Sequence, residues 1–204
     1  MPPAWAIGIL AAGHSRRFGP TPKLASPIAG KPILCHTLDA ALASTASRVL
    51  MSLPSGDDGE ALGRCLPAED RLQVCVNHGN TQADSVRTLL HFAQTADVPL
   101  ECVLLHPADR PALRPEAWER VLTAASQLQQ PAVACIDGKL RPPLGLPRAC
   151  WKLADQLQGD EGFRQLFGTL QPYPVSCDDV AADLDLDRPE DLPAFAAWLR
   201  EEAS

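Results

Sequence analysis

The 204-residue chain is 46% hydrophobic and 21% charged, the composition of an ordinary globular protein, and it carries a net charge of −7. Scattered cations and an acidic balance argue against a nucleic-acid partner, and no apolar run approaches the roughly 20 residues of a membrane span. Seven cysteines without a C-x-x-C pair, and a start without a signal-peptide pattern, predict reduced thiols in a cytoplasmic protein. One domain over residues 1–204 is expected.

Short apolar runs alternate with amphipathic segments along the chain. Strands are predicted at 5–10, 49–53, 72–76, 102–105, 132–136 and 175–177. Helices are predicted at 31–43, after a capping box of Thr81 and Asp84, at 118–128, as two short pieces of 149–167 split near Gly159, and at 189–199. The proline-rich residues 137–147 are predicted to be an excursion. This alternation predicts an α/β fold, a single Rossmann-like domain whose mixed, mostly parallel sheet has helices on both faces.

The connection after the first strand combines small residues with cations. Gly13 and Gly19 allow backbone geometries that turn N–H groups toward a ligand, and Arg17 and Lys23 add positive charge. A triphosphate suits such a loop, whereas the alternative is a tight connection with solvated basic residues. The pattern is neither a Walker A loop nor a G-x-G-x-x-G fingerprint. Ligands gather at the carboxyl ends of strands in such sheets, where both this loop and Asp109 fall.

Five segments in one order resemble the motifs of nucleotidyltransferases related to molybdenum cofactor cytidylyltransferase. The first is Leu10-Ala11-Ala12-Gly13-His14-Ser15-Arg16-Arg17-Phe18-Gly19 with Lys23, similar to L-A-A-G-x-S-x-R-x-G followed by lysine. The others are G-K-P at 30–32, D-R-P at 109–111 for D-Q-P or D-M-P, G-D-E-G at 159–162 for G-D-x-G, and D-L-D-R-P-E-D-L at 185–192 for D-I-D-T-P-E-D-L. The resemblance implies a fold of the nucleotide-diphospho-sugar transferase type.

The resemblance also implies a reaction. A phosphate on an acceptor attacks the α-phosphorus of a nucleoside triphosphate in line and releases pyrophosphate, so catalysis is mostly positioning and charge neutralisation. The implied nucleotide contacts are Leu10, Ala11, Ala12, Gly13, Ser15, Arg17, Gly19 and Lys23, and a second resemblance, to methylerythritol phosphate cytidylyltransferases, adds Gly79 and Ser85. Arg17, Lys23 and Asp109 are the implied catalytic residues. Mg²⁺ is expected on Asp109 with Asp185 and Asp187, and which of the last two binds it is left open. Alternatively, Asp109 caps a turn and the acidic tail is a solvated charge run.

A second resemblance concerns the base. Residues 79–86 are similar to the G-x-x-R-x-x-S-V of methylerythritol phosphate cytidylyltransferases, in which the serine region reads cytosine, although Gln82 replaces the arginine. Ser85 at a helix start is alternatively a capping residue. Residues 106–111 likewise resemble H-D-A-A-R-P, whereas the carboxyl half agrees better with the molybdenum cofactor group. Ala12, where related guanylyltransferases tend to carry glycine, favours CTP over GTP.

The sequence departs from the family pattern at two places, one that concerns the acceptor and one that concerns a helix cap. The family's G-H-P is Arg141-Pro142-Pro143 here, so Arg141 either faces the acceptor phosphate in place of the histidine or is a solvated loop residue. Arg188 stands where a threonine would cap a helix, and arginine accepts no hydrogen bond.

The expected function is transfer of CMP from CTP to a phosphorylated small-molecule acceptor such as the pterin of the molybdenum cofactor. The alternatives are a methylerythritol phosphate cytidylyltransferase-like enzyme and a non-catalytic nucleotide-binding module in cofactor assembly. No nucleic-acid or membrane partner is expected, and the sequence leaves the oligomeric state open.

Overall fold

A computed structural model describes residues 4–12, 22–79, 81–160 and 162–202. Its strands are β1 (Ala4–Leu10), β2 (Pro27–Ile28), β3 (Lys31–Pro32), β4 (Arg48–Pro54), β5 (Leu72–Asn77), β6 (Leu100–Pro107), β7 (Ala132–Ile136), β8 (Lys139–Pro147) and β9 (Tyr173–Ser176). Its α-helices are α1 (Ile33–Leu42), α2 (Asp57–Gly63), α3 (Gln82–Gln94), α4 (Pro115–Leu128), α5 (Phe167–Leu170) and α6 (Leu192–Glu202). Short 3₁₀ helices occupy Lys23–Ala25, Arg148–Gln156, Gly162–Leu166 and Pro189–Asp191.

Seven strands form a mixed sheet in the order β5-β4-β1-β6-β8-β7-β9, and β2 and β3 form a separate hairpin. The pairs β5/β4, β4/β1, β1/β6 and β7/β9 are parallel, whereas β8 is antiparallel to both of its neighbours. The predicted α/β fold with a mostly parallel sheet is confirmed. The carboxyl ends of β1, β4, β5 and β6 share one edge, and the first residues of β8 lie at that edge because β8 runs the other way.

Alternating side chains of the strands fill a core on each face of the sheet. In β1, Ile7 and Ile9 join the core beneath α1, α4 and α6, whereas Ala6 joins the core beneath α3. Burial on both faces explains why the inner strands β1, β4 and β6 are continuous apolar runs rather than alternating ones. Among the described residues, no helix is long and apolar enough to cross a membrane.

Residues 137–147 mostly form β8, so the predicted excursion is wrong. Residues Leu144 to Pro147 of β8 pair with β6. Along β7, Val133 lies opposite Leu144 and the next residue, Ala134, lies opposite Arg141, because the register shifts between them. Pro142 and Pro143 therefore fall at an irregularity where neither neighbour has a paired residue. Because proline has no N–H to donate, such a bulge is where an interior strand tolerates it.

Other predicted elements differ in their bounds. The first helix begins at Ile33 rather than at residue 31, because Lys31 and Pro32 pair with β2 across a turn whose Gly30 has φ +80°. The capping box of Thr81 and Asp84 is confirmed at the start of α3. The break near Gly159, which has φ +61°, is also confirmed. Helix α2 was not predicted, since its short sequence DDGEALG offers little apolar periodicity.

Candidate functional site

Backbone hydrogen bonds bring two distant acidic segments together at the carboxyl edge of the sheet. Residues 180–186 run alongside residues 109–114, and the two stretches pair antiparallel at Leu113 and Ala181. The connecting bonds are Arg114 N to Val180 O at 2.8 Å, Ala182 N to Ala112 O at 2.9 Å and Leu186 N to Asp109 O at 3.1 Å. The last bond places Asp109 next to the residues on either side of Leu186.

Asp109, Asp185 and Asp187 form the acidic cluster. One carboxylate oxygen from each lies within 4.8 Å of the others. Asp109 is half-buried after β6, whereas Asp185 and Asp187 are exposed. Three carboxylates at this spacing are the hard oxygen donors that Mg²⁺ and Mn²⁺ prefer, so the residues present fit the divalent cation that the sequence predicts.

Lys23 lies at the acidic cluster, at the start of a 3₁₀ turn that follows the opening loop, the name used here for the chain segment 11–22 after β1. Its Nζ donates to Asp109 Oδ2 at 2.8 Å and to Asp187 Oδ1 at 3.3 Å. Lys23 is only 5% exposed and the Asp109 side chain 29%, so water screens this ion pair weakly, whereas the pair with Asp187, whose side chain is 54% exposed, is screened more strongly. The structure therefore brings together four residues that three separate motifs predict: Lys23, Asp109, Asp185 and Asp187.

Asp183, which sequence reasoning missed, ties two arginines to the acidic cluster. Its Oδ1 accepts from Arg141 Nε at 2.7 Å and from Arg110 Nη1 at 3.0 Å, while Arg110 Nη2 donates to Asp185. Asp183, Asp185 and Asp187 alternate with leucines in the sequence, a period of two that would have placed all three on one side of an extended segment. Arg141 is 21% exposed at its side chain and lies on β8, not on a solvated loop.

These contacts shift the pKa values of two carboxyl groups, those of Asp183 and Asp185. Hydrogen bonding from Arg141, reinforced by Arg110, lowers the pKa of Asp183 to about 2. Partial loss of water around the Asp185 carboxyl, whose side chain is 41% exposed, raises its pKa above the ordinary value; Arg110 opposes this shift, and the nearby charges of Asp109 and Asp187 add to it. A cation among the three carboxylates would relieve that repulsion.

Asp191 supplies the reciprocal half of a capping box at this turn, although Arg188 cannot accept as a threonine would. Its Oδ2 accepts from the backbone N–H groups of Arg188 at 2.7 Å and Asp187 at 2.9 Å. The Asp191 carboxylate, which belongs to the turn Pro189–Asp191, thus fixes the backbone of Asp187. The turn forms although arginine replaces threonine at position 188.

The end of β1 lies between β4 and β6. Ala11 N donates to Ser52 O at 3.0 Å, and Leu10 O accepts from Ala108 N at 3.0 Å. Ala11 and Ala12 are buried. The predicted loop residues Gly13, Ser15, Arg17 and Gly19 lie outside the described residues, so their roles stay predictions.

Of the two predicted base-reading residues, Gly79 lies between β5 and α3, and Ser85 lies in the first turn of α3. Ser85 is 3% exposed; its Oγ accepts from Asn77 Nδ2 at 2.9 Å and donates to Thr81 O at 3.3 Å. Gly79 N donates to Asn77 Oδ1 at 2.9 Å, and a Cβ on Gly79 would lie 2.3 Å from that of Asp84. Ser85 thus helps to shape this turn, and its contact with a nucleotide stays a prediction.

The G-D-x-G segment caps helix α3. Asp160 Oδ1 accepts from Gln82 N at 3.0 Å, and Gly159 O accepts from Ala83 N at 3.1 Å. Gly162 has φ +54°, and a Cβ there would lie 2.3 Å from Gln82 Oε1. This motif therefore joins the carboxyl half of the chain to the predicted base-reading turn.

The fold and this site define a nucleotidyltransferase-like α/β protein. Residues 7–173 match the MobA-like NTP transferase domain, and the chain belongs to that family. It is 36% identical over 118 residues to 2-C-methyl-D-erythritol 4-phosphate cytidylyltransferase of Cereibacter sphaeroides; the match covers 57% of this chain and 51% of that relative. The chain thus matches about half the length of this curated relative.

Two solved structures share the fold. The crystal structure of Rv0371c from Mycobacterium tuberculosis superimposes with a TM-score of 0.82 at 24% identity, covering 97% of this chain and all of that one. A complex of Rv0371C with manganese superimposes with a TM-score of 0.76 at 20% identity over 95% of this chain and 98% of that one.

Proposed function

We propose that the protein is a metal-dependent cytidylyltransferase, which moves CMP from CTP to a phosphorylated small-molecule acceptor and releases pyrophosphate. The observation that carries the proposal is the meeting of Lys23 with the acidic cluster at the carboxyl edge of the sheet, with Nζ 2.8 Å from Asp109. Cytidine is proposed because the curated relative is named a cytidylyltransferase. The same similarity favours a sugar-alcohol phosphate acceptor over the pterin expected from the sequence.

Asp109, with Asp185 and Asp187, would hold the divalent cation. A bound cation supplies charge neutralisation at the phosphates of the nucleotide. Lys23 is proposed to add a positive charge near the phosphate oxygens of the nucleotide, and Arg17 of the opening loop is proposed to add another. These groups stabilise the negative charge that grows on the α-phosphate and on the leaving pyrophosphate.

The acceptor supplies its own nucleophile. An anionic phosphate oxygen of the acceptor forms a bond to the α-phosphorus, the bond from that phosphorus to the bridging oxygen breaks, and its electron pair leaves with pyrophosphate. No proton has to be removed from the nucleophile, so the protein needs to position the reactants rather than supply a base.

Arg110 and Arg141 are proposed to face the acceptor phosphate. Both guanidinium groups are oriented by Asp183, whose low pKa keeps it ionised at neutral pH. Arg141 stands at the start of β8, at the same edge of the sheet as the acidic cluster. A planar guanidinium that is already oriented binds a phosphate with little further ordering.

Pyrophosphate release tests the proposal. The purified protein, incubated with CTP, Mg²⁺ or Mn²⁺ and 2-C-methyl-D-erythritol 4-phosphate or the molybdenum cofactor pterin, is expected to release pyrophosphate with the first acceptor. Asp109→Asn should abolish release, whereas Asp97→Asn, which changes an exposed carboxylate paired with Arg48, should retain it. Nucleotide binding without release from either acceptor would support the binding-module alternative, and full activity of Asp109→Asn would refute the site.

A further inference from the structure

The turn that carries Asp109 is fixed by its backbone carbonyls. Thr37 Oγ1, from α1, donates to Ala108 O at 2.9 Å. Leu186 N donates to Asp109 O at 3.1 Å, and His106 Nε2 lies 2.8 Å from Arg110 O. Three successive carbonyls are thus bound by three different parts of the chain, and the Asp109 side chain projects from the middle of this clamp.

The bond from His106 assigns its tautomer. A carbonyl oxygen only accepts, so Nε2 carries the proton and Nδ1 is the bare nitrogen. Burial lowers the pKa of His106 to about 4, with the hydrogen bond to Arg110 partly opposing this shift, so the ring is neutral at pH 7. A neutral ring adds no charge beside the acidic cluster, and its effect on the turn is through hydrogen bonding and packing.

Core packing alone does not explain a histidine here. His106 is 2% exposed and packs edge-on against Trp118, with ring centroids 4.8 Å apart. Neither His106 Nδ1 nor Trp118 Nε1 has a hydrogen-bond partner among the described residues. An apolar ring would fill the same space without a buried nitrogen, but it would leave Arg110 O without its donor. The distinctive contribution of the imidazole is therefore the bond to the turn.

We infer that His106 and Thr37 are positioning residues, which hold the Asp109 turn so that its carboxylate is preorganised for a divalent cation. The inference rests on the proposed function, because it takes the acidic cluster as the metal site. Holding a ligand before the metal arrives avoids the ordering that binding would otherwise require. Loss of either bond should therefore weaken metal binding even without nucleotide.

The test measures Mn²⁺ affinity of the full chain from the electron paramagnetic resonance signal of free Mn²⁺, without nucleotide. His106→Phe keeps a ring against Trp118 but removes the donor, and Thr37→Val keeps the shape but removes the hydroxyl. Each should weaken Mn²⁺ binding about two- to tenfold, the effect of one hydrogen bond. His106→Gln, whose amide can donate at a similar reach, should stay within about twofold of the wild type. Trp118→Phe is the control for loosening of the same core.

The outcomes separate this inference from the proposed function. Wild-type affinity in His106→Phe, or an equal loss in Trp118→Phe, would overturn the positioning role while the metal site stands. If His106→Phe does not fold, Thr37→Val decides, and unchanged affinity there would overturn the inference. Equal binding by the wild type and Asp109→Asn, or no binding by the wild type, would refute the metal site and this inference with it.

Discussion

Replacing Lys23 by methionine should make the acidic cluster bind a divalent cation more tightly when no nucleotide is present. The ammonium now donates to two carboxylates of the cluster, Asp109 at 2.8 Å and Asp187 at 3.3 Å. A metal ion that binds these oxygens must first displace it. Methionine keeps a long unbranched side chain in this buried position and removes the competing charge.

The size of the effect follows from those contacts. A hydrogen bond to a charged group contributes about 1.5 to 3 kcal/mol, and each 1.4 kcal/mol corresponds to a tenfold change in affinity. Lys23 is 5% exposed and the Asp109 side chain 29%, so this pair keeps most of that energy, whereas the Asp187 side chain is 54% exposed and its pair is screened by water and not counted. Lys23→Met should therefore bind Mn²⁺ about ten- to a hundredfold more tightly than the wild type. CTP binding should weaken, because the triphosphate loses a cation.

Titration calorimetry with Mn²⁺ alone, and then with CTP, checks both halves of this prediction. Lys31→Met is the matched control, since Lys31 pairs with Asp39 on the exposed surface and should leave Mn²⁺ affinity unchanged. Unchanged or weaker Mn²⁺ binding by Lys23→Met would refute the competition between lysine and metal. Loss of the gain in the double variant with Asp109→Asn would show that the tighter metal binds at the acidic cluster.

Three further predictions concern neighbouring parts of the site. Arg141→Gln should raise the KM for the acceptor about tenfold or more through loss of a charge-assisted contact, leaving the KM for CTP unchanged; an equal rise in both would contradict an acceptor-facing role. The pKa of Asp183 is lowered to about 2 in the folded protein, from about 3.8 in the unfolded chain. The ionised carboxylate therefore stabilises the fold above pH 3.8, and this stability is lost as the pH falls toward 2. Chemical unfolding from pH 5 to pH 2 should therefore show the wild type losing about 2 kcal/mol more than Asp183→Asn, and parallel curves would contradict this. Asp160→Ala should lower the free energy of unfolding by about 1 kcal/mol by uncapping Gln82, whereas exposed Asp155→Ala should not, and equal effects would argue against the cap.

The sequence predicts which side chains meet at this edge better than it predicts the contacts that hold them there. Lys23, Asp109 and Asp187 were each found from a short motif at a strand end or helix start, and parallel strands bring such ends to one edge. Local patterns do not record which distant backbone groups bond to each other. The role of Asp160 at the start of α3 and that of His106 at Arg110 O therefore appear only in the folded chain.

Strand β8 shows why an interior element was missed. Two adjacent prolines normally exclude an interior strand, and only the register shift opposite Val133 and Ala134 makes them compatible with one. The same strand brings Arg141 to the edge that holds the acidic cluster. A solvated loop and an acceptor-facing position are both consistent with its sequence; the place of β8 in the sheet excludes the solvated loop, and contact with an acceptor stays a proposal.

Phosphorus NMR of the reaction mixture tests cytidylyl transfer most directly. With CTP, Mg²⁺ and 2-C-methyl-D-erythritol 4-phosphate, we expect free pyrophosphate and a new pair of coupled diphosphate signals to grow in equal amounts. Neither signal should appear with Asp109→Asn, and ATP, GTP and UTP should be consumed much more slowly than CTP. Preferred consumption of another nucleotide would contradict the cytidylyl assignment, and release of inorganic phosphate or free CMP without the diphosphate signals would contradict transfer itself.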